Sequence, residues 1–283
     1  MKNSVSKVDI IKVKAGVANA KPDLVSVEEP LEIRLTYGKG DERQKKSISI
    51  TMRTPGHDFE LALGFLYTEG IIGSHQDIKQ IRYCTEPETN DAIDNIVIVE
   101  LDPSVQFDIT KLDRHFYTTS SCGVCGKASI EAVQNANCPH IAKQPGFAKA
   151  STIHKLPALL RKKQSVFEFT GGIHGCAFFS AKADLLISRE DVGRHNALDK
   201  LIGASLAKDN LEPNNYILLL SGRISFELVQ KAAMAGVPVI AAGGAPASLA
   251  VQTAQELGIS LIGFLRDNSF NIYTHPERID LKQ

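Results

Sequence analysis

Apolar and polar residues alternate from Leu31 to Tyr37 and again from Lys46 to Met52, on either side of Gly38-Lys-Gly-Asp-Glu42. That pattern predicts a β-hairpin. The residues before it, 1–29, scatter Val and Ile among Lys and Ser without a period and predict a loosely held lead-in. After Arg53-Thr-Pro-Gly-His-Asp58 the pattern changes to a helix, with Phe59, Leu61, Leu63, Phe65 and Leu66 apolar and Gly70 as its stop. Gln80–Cys84 and Asn95–Leu101 predict strands, the second rich in Ile and Val. These elements make an α+β N-terminal unit, residues 1–116.

Residues 117–146 predict a connector, a loop followed by a short helix over Lys127–Asn137 on Ala128, Ile130, Ala132 and Val133. Residues 147–283 are more regular. Thr152–Lys163 predicts a helix, Ser165–Thr170 a strand, and Ala177–Ala181 with Leu185–Arg189 a hairpin. Helix 194–206, strand Tyr216–Leu220, helix 224–235, strand Pro238–Ala241, helix 246–257 and strand Ser260–Phe264 then alternate. Short apolar runs between helical patterns predict an α/β fold with a mostly parallel, helix-covered sheet. The order of helix, hairpin and repeated helix–strand is that of a cytidine-deaminase-like three-layer domain, here behind a smaller β-rich unit.

Composition narrows the class. The 283 residues are 43% hydrophobic and 23% charged, enough for a sizeable core. The formal net charge is zero, so no global field steers nucleic acid or an anionic membrane. No apolar run approaches the roughly 18 residues that span a bilayer. Five cysteines without an apolar leader point to a reducing cytoplasm.

The candidate chemistry starts at Tyr117-Thr-Thr-Ser-Ser-Cys122-Gly-Val-Cys125-Gly-Lys-Ala-Ser129. Glycines and hydroxyl side chains offer these thiols little apolar burial, so the segment predicts an exposed or mobile loop. A helix start and Lys127 nearby favour thiolate over thiol. A dithiol couple, half of a zinc site and a persulfide carrier all fit the pair.

A deaminase would need zinc thiolates at the start of its second crossover helix. Here that helix opens with Ser221-Gly-Arg-Ile-Ser, which holds no cysteine, and this excludes deaminase chemistry. What remains near Asp191-Val-Gly-Arg-His195-Asn196, Ser221-Gly-Arg223 and Gly243-Gly-Ala-Pro246 is glycine, arginine and a helix start. Such turns can bind phosphate, or can use glycine for geometry alone. With Arg223 and Arg266 on one rim beyond the strand ends, they favour a nucleotide-like ligand. His174 in Thr170-Gly-Gly-Ile-His is expected to serve a tight turn, and Cys176 and Cys84 to be small buried hydrophobes. Glu190 and Asp191 either compensate a helix dipole or act at the site.

Cys122-Gly-Val-Cys-Gly-Lys, Thr170-Gly-Gly-Ile-His, Glu190-Asp-Val-Gly-Arg-His-Asn-Ala-Leu-Asp-Lys200, Ser221-Gly-Arg-Ile-Ser and Tyr273-Thr-His-Pro together resemble the formate dehydrogenase accessory sulfurtransferase family, FdhD. The resemblance runs from about Glu29 to Arg278. It implies a cytoplasmic, homodimeric sulfur carrier. Such a carrier accepts sulfur from a cysteine desulfurase as a persulfide. It passes that sulfur to the molybdenum of bis-(molybdopterin guanine dinucleotide) before the cofactor enters formate dehydrogenase. It also implies Cys122 as the persulfide carrier, Cys125 as its helper, and guanine nucleotide as a partial mimic of the cofactor, with no zinc. Gly263, Phe264, Leu265, Arg266, Asp267 and Asn268 match the stretch that holds the cofactor in that family. His195, Asn196, Ser221 and Arg223 are added here as contacts to the dinucleotide.

Two other readings stand beside it. Cys122-x₂-Cys125-x₁₂-Cys138-Pro-His140 nearly spells a four-ligand zinc site, which would make the chain a zinc-stabilised nucleotide-binding regulator. A thiol–disulfide oxidoreductase would need its CxxC inside a βαβ unit, whereas here the regular sheet follows the motif.

Overall fold

The computed structural model describes residues 4–85, 93–105, 138–208 and 212–282, and its architecture is mixed α/β. The predicted N-terminal hairpin is strand β3 (Glu29–Tyr37) against β4 (Gln44–Arg53), antiparallel from Glu29↔Arg53 to Tyr37↔Gln44. With β5 (Ile78–Tyr83) and β6 (Ile96–Leu101) they form a sheet in the order β4-β3-β6-β5, where β3 and β6 run parallel. Alternation puts Leu31, Ile33 and Leu35 on one buried face, against Leu61 and Leu66 of helix α1 (Asp58–Thr68). Gly70, at φ +68°, ends α1 as expected: its N–H donates to Tyr67 O and the Ile71 N–H to Leu66 O.

After the two-residue strand β7 (Ala148–Lys149), the C-terminal sheet contains β8 (His174–Ser180), β9 (Leu185–Asp191), β10 (Tyr216–Leu220), β11 (Val239–Ala242), β12 (Ser260–Gly263) and β13 (Asn271–Thr274), in the order β13-β12-β11-β10-β8-β9. Only β10, β11 and β12 are parallel; β8, β9 and β13 pair antiparallel, so the sheet is mixed rather than mostly parallel. Both faces of β10 are buried, which is why Ile217–Leu220 is uniformly apolar. Leu218 and Leu220 meet the helices 194–206, 226–234 and 248–257, while Ile217 and Leu219 meet Ile153, Leu156 and Leu160. Among the described residues no helix is long and apolar enough to cross a membrane.

Three expectations need correction. Thr152–Lys163 is two short helices, α2 (Ala150–Ile153) and α3 (Leu156–Arg161), because Pro157 tolerates only the first turn of a helix. Ser165–Thr170 is not a strand but helix α4, capped from a distance: the Glu190 carboxylate accepts from the Val166 and Phe167 N–H groups at 3.1 and 3.0 Å. The lead-in is ordered as a ribbon of β1 (Val5–Lys14) and β2 (Val17–Ser26), closed at Ala15 and Gly16 with φ of 49° and 81°. Positive φ at both turn residues matches the twist of a two-residue hairpin. The ribbon is tied at its base by Ser26 Oγ donating to Gly172 O and Ser4 Oγ to Pro55 O. The predicted helix Lys127–Asn137 lies outside the described residues.

The two halves meet where α1 crosses helix α5 (Arg194–Leu206) at Gly64 and Gly203. Buried charges flank that crossing. Lys200 pairs with Asp191 at 2.6 Å and donates to Thr54 O, while Lys231 pairs with Asp199 and Glu69 at 3.0 and 3.1 Å. Burial opposes the Lys231 ammonium, but Asp199 and Glu69 outweigh it and raise its pKa. Nearby, Arg189 grips Glu60 with both oxygens engaged, one at 2.7 Å. Burial pushes the Glu60 carboxyl up, yet the Arg189 and His57 hydrogen bonds win and hold it at about 2. A depressed carboxyl stabilises the fold above its unfolded pKa and loses that stability as pH falls toward 2. After solvent screening this amounts to about 1–2 kcal/mol. Urea denaturation at pH 6 and pH 3 is expected to show a smaller acid-induced loss for Glu60→Gln than for wild type; equal losses would assign the effect to other groups.

Candidate functional site

The carboxyl ends of β10, β11 and β12 and the amino end of antiparallel β8 share one edge of the C-terminal sheet. A cavity of about 860 Å³ opens there, roofed by α3 and α4. Its walls are apolar at Pro157, Leu160, Phe167 and Ile173, with Arg161, Gln164, His174, Ser221, Arg266 and Asp267 as the polar side chains. Few polar groups on apolar walls, at the strand ends of an α/β sheet, make a small-molecule site.

The turns that follow β10, β11 and β12 are laced to one another rather than aimed at a ligand. Gly243 N–H donates to Leu220 O, Gly244 N–H to Gly222 O, and Phe264 N–H to Gly244 O, all at 3.1 Å. A Cβ on Gly244 would stand 2.8 Å from Arg223 N and Gly222 O. Glycine is therefore required here for close packing of the turns, and these backbone donors are spent. Phe264, at φ +52° and 45% exposed, holds a left-handed conformation that a bulky side chain rarely adopts, and so stores strain at the rim.

The sequence-derived residues divide accordingly. Ser221, Leu265, Arg266 and Asp267 line the cavity. Arg266 is fixed at the rim, with Nη1 donating to Gly243 O at 2.6 Å and Leu265 O at 2.9 Å. Gly263 is buried under the rim, where a Cβ would crowd Pro246 and Tyr273. Asn268 is exposed in the turn across which the Arg266 N–H reaches Ser269 O. Arg223 is exposed but outside the lining. His195 also lies outside it, with Nε2 at 3.3 Å from Ser225 Oγ and 3.8 Å from Glu227. That contact holds the Glu227 carboxyl down to about 2.

Asn196 is turned away from the cavity. It is buried, accepts from Thr51 Oγ1 and donates to Met52 O and Asp191 Oδ1, so its amide joins the two halves of the chain. Glu190 and Asp191, for which the sequence left dipole compensation and action at the site both open, take more specific roles, the cap on α4 and the buried pair with Lys200.

His174 was read as a turn residue, yet its ring lines the cavity with Nδ1 3.2 Å from where a Cβ on Gly222 would stand. Burial, and then the Arg194 guanidinium, lower its pKa against the pull of Asp191. Its glycine-rich approach was the available signal.

The thiols Cys122 and Cys125 lie outside the described residues. Cys176 and Cys84 are buried, as expected of small hydrophobes. Burial drives the Cys176 thiol well above the ordinary range, and its Sγ contacts Ala197 O at 3.0 Å. Cys138 is half-buried near Gln230 O, and burial pushes its thiol up to about 11.

The whole chain is similar to proteins already described. A relative from Mycolicibacterium paratuberculosis, described as sulfur carrier protein FdhD, is 49% identical over 266 residues, covering 94% of this chain and 95% of the relative. Relatives of the same description from Streptomyces coelicolor and Saccharolobus solfataricus are 45% and 42% identical over 275 residues each, with 95% and 98% of those relatives covered by 96% and 97% of this chain. A crystal structure described as a formate dehydrogenase accessory protein from Desulfotalea psychrophila superimposes with a TM-score of 0.75 over 98% of this chain and 100% of that one, at 23% identity, which establishes a shared fold. The model of the FdhD/NarQ family matches residues 26–280, and with these near full-length relatives it shows that the chain belongs to that family.

Proposed function

We propose that this chain is a sulfurtransferase of the persulfide-carrier type. It takes sulfur from a cysteine desulfurase onto Cys122. It delivers that sulfur to bis-(molybdopterin guanine dinucleotide), its substrate, before insertion into a formate dehydrogenase. The observation that carries this reading is the pair Cys122-Gly-Val-Cys125 within a chain that aligns almost end to end with relatives described as sulfur carriers.

The chemistry balances with the two thiols. The Cys122 thiolate attacks the outer sulfur of the donor persulfide; a new S–S bond forms on Cys122, and the donor cysteine leaves as thiolate. Delivering that sulfur as sulfide takes two electrons. Cys125 supplies them by attacking Cys122 Sγ, which forms a Cys122–Cys125 disulfide and expels sulfide toward the molybdenum. A cytoplasmic thiol reductant then resets the pair.

The cavity at the strand ends supports the second half of the reaction. Its 860 Å³ is within the range of sites for drug-sized ligands and fits one nucleotide-sized arm of the substrate. Arg266 on the rim suits a phosphate, and the apolar wall suits a planar heterocycle. In this reading residues 147–283 are the cytidine-deaminase-like cofactor domain, which the strand order β9-β8-β10-β11-β12 favours. Residues 1–116 are the N-terminal unit, 117–146 carry the thiols, and two copies form the working dimer.

Intact-mass measurement after incubation with a cysteine desulfurase and cysteine tests the proposal. The expected result is a gain of one sulfur mass, removed by dithiothreitol and located on the peptide that contains Cys122 and Cys125. A chain that gains no sulfur under conditions where the desulfurase turns over would overturn it.

A further inference from the structure

The largest feature that plays no part in the cavity's lining is the ribbon at the amino end. β1 and β2 each run ten residues, about 30 Å, and among the described residues they pair only with each other. A lone two-stranded ribbon is marginal in water, yet Ile11, Val13 and Val17 of this one are 71%, 65% and 60% exposed. Apolar side chains gathered in the open on one element mark a surface that another molecule covers.

The two faces of the ribbon differ. The register pairs Ile11 with Ala20, Val13 with Ala18 and Lys7 with Leu24, and paired residues share a face. Alternation therefore puts Ile11, Val13, Ala18, Ala20, Pro22 and Leu24 on one side. The other side carries Lys12, Lys14 and Lys21 beside Val17, all exposed. From Ile10 to Lys21 those lysines are joined by no carboxylate. The ribbon is a blade with one apolar and one cationic face.

The blade is rooted at the cavity. Ser26 Oγ donates to the carbonyl of Gly172, and α4, part of the roof, packs against β2. Gly171 and Gly172 line the cavity and are exposed, so they stand at its mouth. Phe169, between the lining residue Phe167 and that mouth, is itself 62% exposed. A protein seated on the ribbon is held where the contents of the cavity leave.

We infer that the β1–β2 ribbon, with Phe169 beside its root, is the docking arm for the protein that receives those contents, and that this acceptor offers a cleft with one apolar and one acidic wall. This rests on the carrier reading above, in which the acceptor is a formate dehydrogenase apoprotein, and adds the surface on which it sits. Charge complementarity selects an acidic partner, because lysine supplies the only charges on the distal half of the ribbon. A lipid surface fits less well, since Val5–Ser26 holds no Trp, Tyr or Phe to anchor at a membrane interface.

Two variants take the faces apart: Ile11→Asp with Val13→Asp, and Lys12→Glu with Lys14→Glu. All four side chains are exposed, so the body of the fold is untouched. The readout is calorimetric binding of the full chain to the purified apoprotein of a formate dehydrogenase that depends on it. The first variant is expected to bind about 10-fold more weakly or worse. The second should lose about 10-fold at low salt and about 3-fold or less in about 0.5 M salt, where screening weakens the wild-type attraction too. Sulfur gained from the desulfurase, affinity for guanosine diphosphate and melting temperature should stay at wild-type values in both. An unchanged Kd in either variant overturns the inference, and so does a melting temperature lower by several degrees, since the ribbon would then be structural. A shift from dimer to monomer in light scattering would assign the ribbon to a second copy and overturn it. Loss of sulfur loading would assign it to the donor, and wild-type flotation with phosphatidylglycerol vesicles that the variants lose would assign it to a membrane; both overturn it. Wild-type protein that binds no apoprotein overturns this inference and the delivery step, whereas sulfur loading on Cys122 is measured separately and decides the carrier reading.

Discussion

Gly203→Ala is expected to lower the melting temperature by about 10 °C or more, the equivalent of a loss above about 4 kcal/mol for a domain of this size. Helix propensity alone predicts the opposite sign, because Ala is favoured over Gly inside a helix by about 0.5–1 kcal/mol. The crossing of α1 and α5 decides. A Cβ on Gly203 would fall on the Glu60 carbonyl oxygen and stand 2.8 Å from Glu60 C and Gly64 N. Reciprocally, a Cβ on Gly64 would fall on the Asp199 carbonyl oxygen. These are backbone atoms in helices, so no rotamer relieves the clash and the two helices must separate. Separation opens two cores together, since α1 carries Leu61 and Leu66 and α5 carries Leu198, Leu201 and Ile202. It also stretches Thr68 Oγ1 from Asp199, now 2.9 Å apart, and the buried Lys231 with them. Total stability of a domain is only about 5–15 kcal/mol, so the variant loses a large fraction of it. Thermal melting followed by circular dichroism reads the result; a melting temperature at or above wild type would show that the helices are not locked at this point.

The same crossing shows what could and could not be read in the sequence. Helix 194–206 and strand Tyr216–Leu220 were legible because local pattern and final environment agree. Ser165-Val-Phe-Glu-Phe-Thr170 was not, because its β-branched and aromatic residues read as a strand. Its helix depends on the carboxylate of Glu190, more than twenty positions away. The β1–β2 ribbon hid behind an Ala15-Gly16 turn in which Ala takes the conformation expected of Asn or Gly. Lys200 and Lys231 look like surface residues in any helical pattern, yet both are buried in ion pairs that only the tertiary structure brings together. At the site, the strand-end rim was legible as a class of place. Leu265, Arg266, Asp267 and Ser221 reach the cavity. Gln164, a lining residue, was passed over, because a glutamine between two short elements carries no pattern, and Asn196 was overvalued, because its motif is a structural joint.

Cys122→Ala is expected to abolish delivery of sulfur altogether, so that a formate dehydrogenase that depends on this chain stays at background activity. The melting temperature and the affinity for guanosine diphosphate should stay at wild-type values. The effect is all-or-none because transfer needs a thiolate that forms an S–S bond and later gives it up, and a methyl group can do neither. Cys125→Ala separates the two steps. Its chain should still gain one sulfur in intact mass but release no sulfide without added thiol, because the second electron pair has gone. If Cys122→Ala still loads sulfur and Cys125→Ala does not, the roles exchange and the carrier reading survives. If the double variant still loads, the reading fails, because the remaining thiols are poor nucleophiles. Cys84 and Cys176 are buried, burial lifts Cys176 far above the ordinary range, and Cys138 is pushed up to about 11. A thiol raised that far is almost wholly protonated near pH 7 and cannot compete with a reactive thiolate for a donor persulfide. Sulfur on the double variant would therefore have to be held by some means other than a cysteine of this chain.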